Sequence, residues 1–304
     1  MEAIMTVKVE KTAYGGWKNC YRIYNEKADL IVTSDVGPRI IRFGFIGGPN
    51  EFCEIPDHMG KTGGNEWRNY GGHRLWHSPE EMPRCYFPDN FPVDVEIIPN
   101  GVRVSQPVET TTLIKKDMEV TLDDDSAVVT VKHQLTNKGM WDVELAAWAL
   151  SVMAPLGLEI VPQEQLDTHL LPNRMISLWP YSDMNDARVQ WGKKYIYLKQ
   201  DMKAVKPFKF GISDTNGWAA YLNHGNMFVK RFSPEEECLY PDYSASMYET
   251  YTCDFMTEME TLSPLNVLGP NESLLHVEEW NLFKDVKVPK DEEETDKLVK
   301  KYIR

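Results

Sequence analysis

Short runs of apolar and β-branched residues recur along the chain, separated by Gly, Pro, Asn and Asp. Read as strands, they fall at 20–23, 29–33, 39–45, 93–98, 101–105, 108–115, 119–122, 127–135 and 143–153. Further runs follow at 194–198, 208–212, 218–222, 227–232, 248–262 and 274–283. Pro99-Asn100-Gly101, the acidic stretch 122–125, Asn137-Lys138-Gly139 and the sequence NHGN at 223–226 stand where hairpin turns belong. This rhythm predicts an all-β protein, a large antiparallel sandwich. Two stretches depart from it. Residues 57–94 are rich in Gly, Pro, Trp, His and Arg without a period, which predicts an ordered functional loop. In the tail 285–304, acidic residues at 291–294 precede Lys297, Lys300 and Lys301, so a short C-terminal helix is expected, its charges complementing the helix dipole. With no internal repeat, low-complexity tract or linker, residues 1–304 read as one domain.

The strand alternation also sorts chemistry by face. Met256, Glu258, Glu260 and Leu262 share one face, and Phe255, Thr257, Met259 and Thr261 the other. Glu258 and Glu260 then stand roughly 7 Å apart, near enough to meet one substrate and to perturb each other's proton affinity. Such a pair is either acid–base equipment or the wet face of a half-exposed strand, and the pattern leaves both open. In YGGHRLWHSPEE, at 70–81, Gly71 and Gly72 permit unusual backbone angles just before His73, Arg74, Trp76 and His77. His73 and His77 have the i, i+4 spacing of two metal ligands on a helix, with Glu80 or Glu81 as a third. The glycines and Pro79 oppose a helix there, so no metal site is expected. His276, Glu278 and Trp280 share a strand face and read as a structural hydrogen-bonded set. Trp67, Trp76, Trp148, Trp179, Tyr181 and Trp191 lie in or beside loop-prone sequence, as platforms for sugar rings or as core.

Composition narrows the partners. The 304 residues carry 33 basic and 46 acidic side chains, a net charge of −13, which argues against nucleic acid and an anionic membrane surface. The five cysteines are scattered without zinc-site spacing and read as reduced, mostly buried thiols. No secretory start and no long apolar run is visible, so a cytoplasmic location is expected. Phosphate-cradling glycine motifs and the GxSxG elbow are absent, which disfavours nucleotide chemistry and the usual serine-hydrolase design.

Three segments, GGHRLW at 71–76, LTNKGMWDVELAAWALSVMAPLG at 135–157 and TEMETLSPLNVLGPNESLLHVEEWNL at 257–282, together resemble the galactose mutarotase-like superfamily. That superfamily includes the aldose 1-epimerases, and the match is to a bacterial family within it, over roughly residues 31–283. The resemblance implies a β-supersandwich whose concave face binds carbohydrate. Gly72-His73-Arg74-Leu75 looks like the epimerase Gly-Asn-Arg-Ile motif, so Arg74 inherits a sugar contact, with His73 in place of Asn. Glu258 or Glu260 matches the general base, the register being open by one alternation. The middle strand that carries the epimerase acid, a His, here reads ELAAWAL at 144–150. His73 or His77 is then the expected acid, and Trp76 or Trp148 a stacking surface. The implied function is an isomerase interconverting sugar anomers without metal or cofactor, its partner a small sugar or short oligosaccharide. A non-catalytic carbohydrate-binding protein and a glycoside hydrolase or lyase relative are the alternatives.

Overall fold

The computed structural model describes residues 7–304. In chain order its strands are β1 (Lys8–Tyr14), β2 (Trp17–Tyr24), β3 (Ala28–Thr33), β4 (Arg39–Phe45), β5 (Gly72–Ser78), β6 (Asp94–Ile98) and β7 (Gly101–Ser105). Next come β8 (Ile114–Leu122), β9 (Val128–Asn137), β10 (Val143–Met153), β11 (Leu158–Pro162), β12 (Ile176–Leu178), β13 (Val189–Trp191) and β14 (Tyr195–Lys199). The series ends with β15 (Phe208–Ile212), β16 (Trp218–Asn223), β17 (Asn226–Phe232), β18 (Tyr248–Thr252), β19 (Thr257–Leu262), β20 (Asn266–Leu268) and β21 (Ser273–Phe283). A single turn, α1 (Pro241–Ser244), and one longer helix, α2 (Glu292–Tyr302), complete the described secondary structure.

Two antiparallel sheets result, as the strand rhythm predicts. The first runs β1-β2-β3-β4-β5-β10-β19-β18-β15-β12, with β20 also on β10; the second runs β13-β14-β11-β16-β17-β21-β9-β8-β7-β6. Alternate residues of each sheet meet between them: Leu75, Ala147, Met259, Phe208 and Phe210 of the first pack with Val129, Val131, Phe228 and Trp280 of the second. The turns follow the sequence signals. Asn223 and Asn226 close the β16–β17 hairpin with His224 and Gly225 at positive φ, and Asn100 does the same between β6 and β7.

The segment expected to be irregular differs most from the reading above. Residues 72–78 form a strand hydrogen-bonded between β4 and β10. Gly71 and Gly72 make this insertion feasible: both have positive φ, and a Cβ would sit 2.0 Å from the Cys53 carbonyl oxygen and 2.3 Å from that of Ile40 respectively. The run 108–115 is mostly a turn, with Leu113 at positive φ and β8 beginning at Ile114. The run 248–262 is two strands, β18 and β19, and β1, β11, β12, β13 and β20 had no distinct signal.

The C-terminal helix is capped by Asp291, which accepts from the Glu294 amide at 2.9 Å, and packs Leu298 and Val299 against a cluster containing Trp218 and Tyr195. Four of the five cysteines are buried and all are free. No described helix is long and apolar enough to cross a membrane.

Candidate functional site

Five neighbouring strands of the first sheet, β5, β10, β19, β18 and β15, aim large polar and aromatic residues at the face turned away from the second sheet. Period-two alternation does the sorting. On β5, Leu75 enters the core between the sheets and Arg74 and Trp76 face out; on β10, Ala147 goes in and Trp148 and Leu150 go out. Registers bring these together, with Leu150 opposite both Arg74 and Glu260, Trp148 opposite Trp76, and Tyr251 opposite Glu258. Loops close over this face and leave a cavity of about 440 Å³. Its strand-borne walls are Arg74, Trp76, Trp148, Leu150, Lys209, Tyr251 and Glu258. Connecting segments add Trp67, Asn69, Glu80, Tyr86, Trp179, Tyr181 and Phe255.

Aromatic rings form a continuous edge-to-face chain along one wall. Trp67, Trp76 and Tyr86 contact one another at 4.8–5.4 Å between centroids, and Trp148 joins Trp76 at 5.4 Å. Two cations are inlaid in it. The Arg74 guanidinium lies 4.6 Å from the Trp76 ring, and the Lys209 ammonium 4.6 Å from both Trp148 and Trp179.

Arg74 and Glu258 are both buried and face each other, Nη1 to Oε1, at 2.9 Å. Their alignment is an ion pair without a hydrogen bond: Arg74 Nε and Nη1 and Glu258 Oε1 have no hydrogen-bond partner. A buried fork donor and a buried carboxylate oxygen with unused capacity, at one cavity wall, suit a ligand that carries hydroxyls.

Glu260 lies on the same face, fully buried behind the wall. Its Oε2 accepts from Trp148 Nε1 at 2.8 Å and from Lys209 Nζ at 2.9 Å. Lys209 also reaches Glu249 Oε2, at 2.7 Å. Burial pushes the Glu260 and Glu249 carboxyls up, to about 8 and about 7, only partly countered by Lys209. Burial alone would lower the Lys209 ammonium, but the two carboxylates outweigh it and hold it well above the ordinary lysine range.

His73 and His77 are elsewhere. As odd-numbered residues of β5 they point between the sheets, opposite to Arg74, and no imidazole lines the cavity among the described residues. The assignment of either as the acid at this cavity is therefore corrected. The i, i+4 spacing that would unite them on a helix puts both on the inner side of a strand. His73 Nδ1 meets Ser151 Oγ at 2.9 Å and its Nε2 meets His133 Nε2 at 2.7 Å, while His133 Nδ1 meets the His276 carbonyl at 3.1 Å. That carbonyl can only accept, so His133 Nδ1 carries a proton, His133 Nε2 accepts from His73, and Ser151 donates to His73. Burial holds His73 well below its usual range, and His133 and His276 at about 3, so all three are neutral. His77, likewise lowered by burial, has Glu109 Oε2 at 3.7 Å.

His73, His133 and Glu278 bring three ligand-type atoms within 4.8 Å. A metal ion there would stand beside the Lys230 ammonium, 2.8 Å from Glu278, and would break the His73–His133 bond, so this donor set suits a proton chain better than a metal. The set His276, Glu278 and Trp280 is structural, as its strand face implied: Trp280 Nε1 donates to Glu278 at 2.8 Å, and Thr261 links His276 to Glu278.

Of the residues singled out in the sequence, Arg74, Trp76, Trp148 and Glu258 thus meet at one cavity, Glu260 supports it from behind, and Trp67, Trp179 and Tyr181 also line it. Trp191 packs on Phe210 instead. Lys209, Glu249 and Tyr86 were not foreseen. The first two had a readable signal, a charged residue alternating with apolar ones in FKFGI and YETYT.

No protein-family model matches the sequence. No curated protein sequence matches it significantly. Solved structures do. A galactose mutarotase-like protein from Lactobacillus casei ATCC 334 superposes with a TM-score of 0.59 at 10% identity, covering 87% of this chain and 100% of that one. The fold is that of the galactose mutarotase-like proteins. A galactose mutarotase related enzyme from Lactobacillus acidophilus shares this mutarotase-like architecture with a TM-score of 0.52 at 10% identity, covering 90% of this chain and 100% of that one. A TPR-domain containing protein from Parabacteroides distasonis ATCC 8503 matches at 0.58 and 13% identity, over 94% of this chain and 56% of that one.

Proposed function

We propose that this mutarotase-like protein is a carbohydrate-active enzyme acting at the anomeric carbon of a free aldose, an aldose 1-epimerase-like isomerase with Glu258 as general base. The observation that carries the reading is the Arg74–Glu258 pair, buried at 2.9 Å in an aromatic-walled cavity with hydrogen-bonding atoms to spare. A sugar ring has apolar C–H faces for Tyr86, Tyr181 or an indole edge, and hydroxyls for the guanidinium fork and the carboxylate. Ring opening needs a base on the anomeric hydroxyl and an acid on the ring oxygen, each worth about 100- to 10,000-fold when well placed. Glu258 fits the base by position, while Glu260, enclosed by Trp148 and Lys209, fits an electrostatic role.

One observation favours a second reading, a binding protein without catalysis: among the described residues no imidazole lines the cavity, so the usual acid has no counterpart there by residue type. Exchange of anomers separates the two. NMR exchange spectroscopy on a panel of free aldoses should show acceleration by the wild type and a loss of at least about 100-fold in Glu258→Gln with binding retained. Saturable binding without acceleration favours the binding protein.

A further inference from the structure

Glu249 and Glu260 stand directly opposite each other across the β18–β19 ladder, and both reach the same ammonium, that of Lys209, at 2.7 and 2.9 Å. Both are fully buried, and Oε1 of each has no hydrogen-bond partner. One ammonium neutralises one carboxylate. A second carboxylate packed beside the first, without a donor for its free oxygen, is far less costly as a neutral acid than as an anion. One added proton removes the excess charge and gives an orphaned Oε1 the donor it lacks. The surroundings do not supply an alternative. Asp242 on the α1 turn favours the protonated Glu249, through its charge and a hydrogen bond to that carboxyl, and Glu258 along β19 favours the protonated Glu260. From the interior, Glu159 and Lys230 act on Glu260 with opposite signs. Among the described residues, only Lys209 puts a cation in contact with either glutamate.

We propose that Glu249, Glu260 and Lys209 form a proton store at the wall of the cavity, and that Lys209 delivers from it the acid proton that complements Glu258. This rests on the anomeric-carbon reading above. An ammonium has three protons; two are directed to the glutamates, and the third is available to a ligand in the cavity that Lys209 lines. In the step assigned to it, Glu258 takes the proton of the anomeric hydroxyl and Lys209 Nζ gives one to the ring oxygen. The bond between the anomeric carbon and the ring oxygen breaks, its electron pair staying on the newly protonated oxygen, and the electron pair left by the hydroxyl proton closes the carbonyl. The stored proton moves from the glutamate pair to the lysine amine and restores the ammonium. After rotation the ring recloses, the ring hydroxyl returns its proton through Lys209 to the glutamates, and Glu258 returns the other.

Two measurements test this separately. In protein labelled with ¹³C at the glutamate carboxyls, NMR titration should show a group ionising near 7 to 8 that disappears in Glu249→Gln and persists in Glu159→Gln and in Glu51→Gln, which control for the other two high-titrating glutamates. Identical signals above pH 6 in wild type and Glu249→Gln overturn the store, whatever the activity. For the delivery step, Lys209→Arg keeps a cation for both glutamates, but a guanidinium gives up a proton far less readily than an ammonium. Anomer exchange should fall about 100-fold or more in this variant, with sugar affinity changed only severalfold. Exchange at the wild-type rate overturns the delivery role. A wild type with the carboxyl signal but no acceleration of any aldose overturns the delivery and the anomeric-carbon reading together, and leaves the store established.

Discussion

Lys230 Nζ lies 2.8 Å from Glu278 Oε1, and its other two protons go to the carbonyls of Ala149 and Met259, each at 2.9 Å. The ion pair joins neighbouring strands of the second sheet, β17 and β21, while the carbonyls belong to β10 and β19 of the first. One buried ammonium therefore ties the sheets together directly beneath the cavity-bearing strands. Replacing Lys230 by Met leaves Glu278 without its cation and removes the ammonium's donation to both carbonyls. Urea unfolding should show a loss of about 3–5 kcal/mol. Restoring neutrality with Lys230→Met/Glu278→Gln should recover part of it, and equal losses in the single and double variants would contradict the tie.

Glu159 makes stability depend on pH. Burial pushes its carboxyl up to about 8, although Tyr248 and Thr250 donate to it. An unfolded glutamate ionises near about 4.3, so between these values the folded protein holds a proton that the unfolded chain releases. The contribution is complete below the unfolded value and is lost as pH rises through about 8. Glu159→Gln keeps the shape and removes the titration. Its stability relative to wild type should climb by about 1.4 kcal/mol per pH unit between pH ~5 and ~8 and then level off. A gap that stays constant over this range would sink the assignment.

The buried histidines predict a separation of stability from function. His73→Leu leaves Ser151 and His133 without their partner and should cost about 1–3 kcal/mol in urea unfolding. Per folded molecule, sugar binding and anomer exchange should be unchanged in both His73→Leu and His77→Gln. A large fall in exchange at full folding would return an imidazole to the chemistry.

Much of this was legible from the alternation of residues, and what was not has a physical reason. Period two fixed the common face of Glu258 and Glu260 and the interior set His276, Glu278 and Trp280. The same rule would have turned His73 and His77 inward once 72–78 was read as a strand. Two leading glycines and a following proline hid it, because Gly71 and Gly72 serve here to bring the chain against Cys53 and Ile40 rather than to keep it irregular. Lys209 and Glu249 were invisible as a pair because the β15–β18–β19 registers that unite them with Glu260 are long-range. The short strands β12, β13 and β20 lack enough residues to show a period.

Arg74 offers a test of recognition. Lys in its place keeps the charge but loses the planar fork and the face that lies 4.6 Å from the Trp76 ring. Sugar affinity, followed by tryptophan fluorescence, should fall by about tenfold or more in Arg74→Lys while the unfolding midpoint moves little. Unchanged affinity would remove Arg74 from the ligand's contacts.

The most direct measurement of the central claim compares wild type with Glu258→Gln on freshly dissolved single anomers of several aldoses, following anomer interconversion by ¹H NMR. Catalysis at the Arg74–Glu258 cavity predicts acceleration by wild type of at least one aldose, and a rate lower by at least about 100-fold in a normally folded Glu258→Gln that still binds it. Equal rates in the two proteins, or no acceleration of any aldose by wild type, would contradict it.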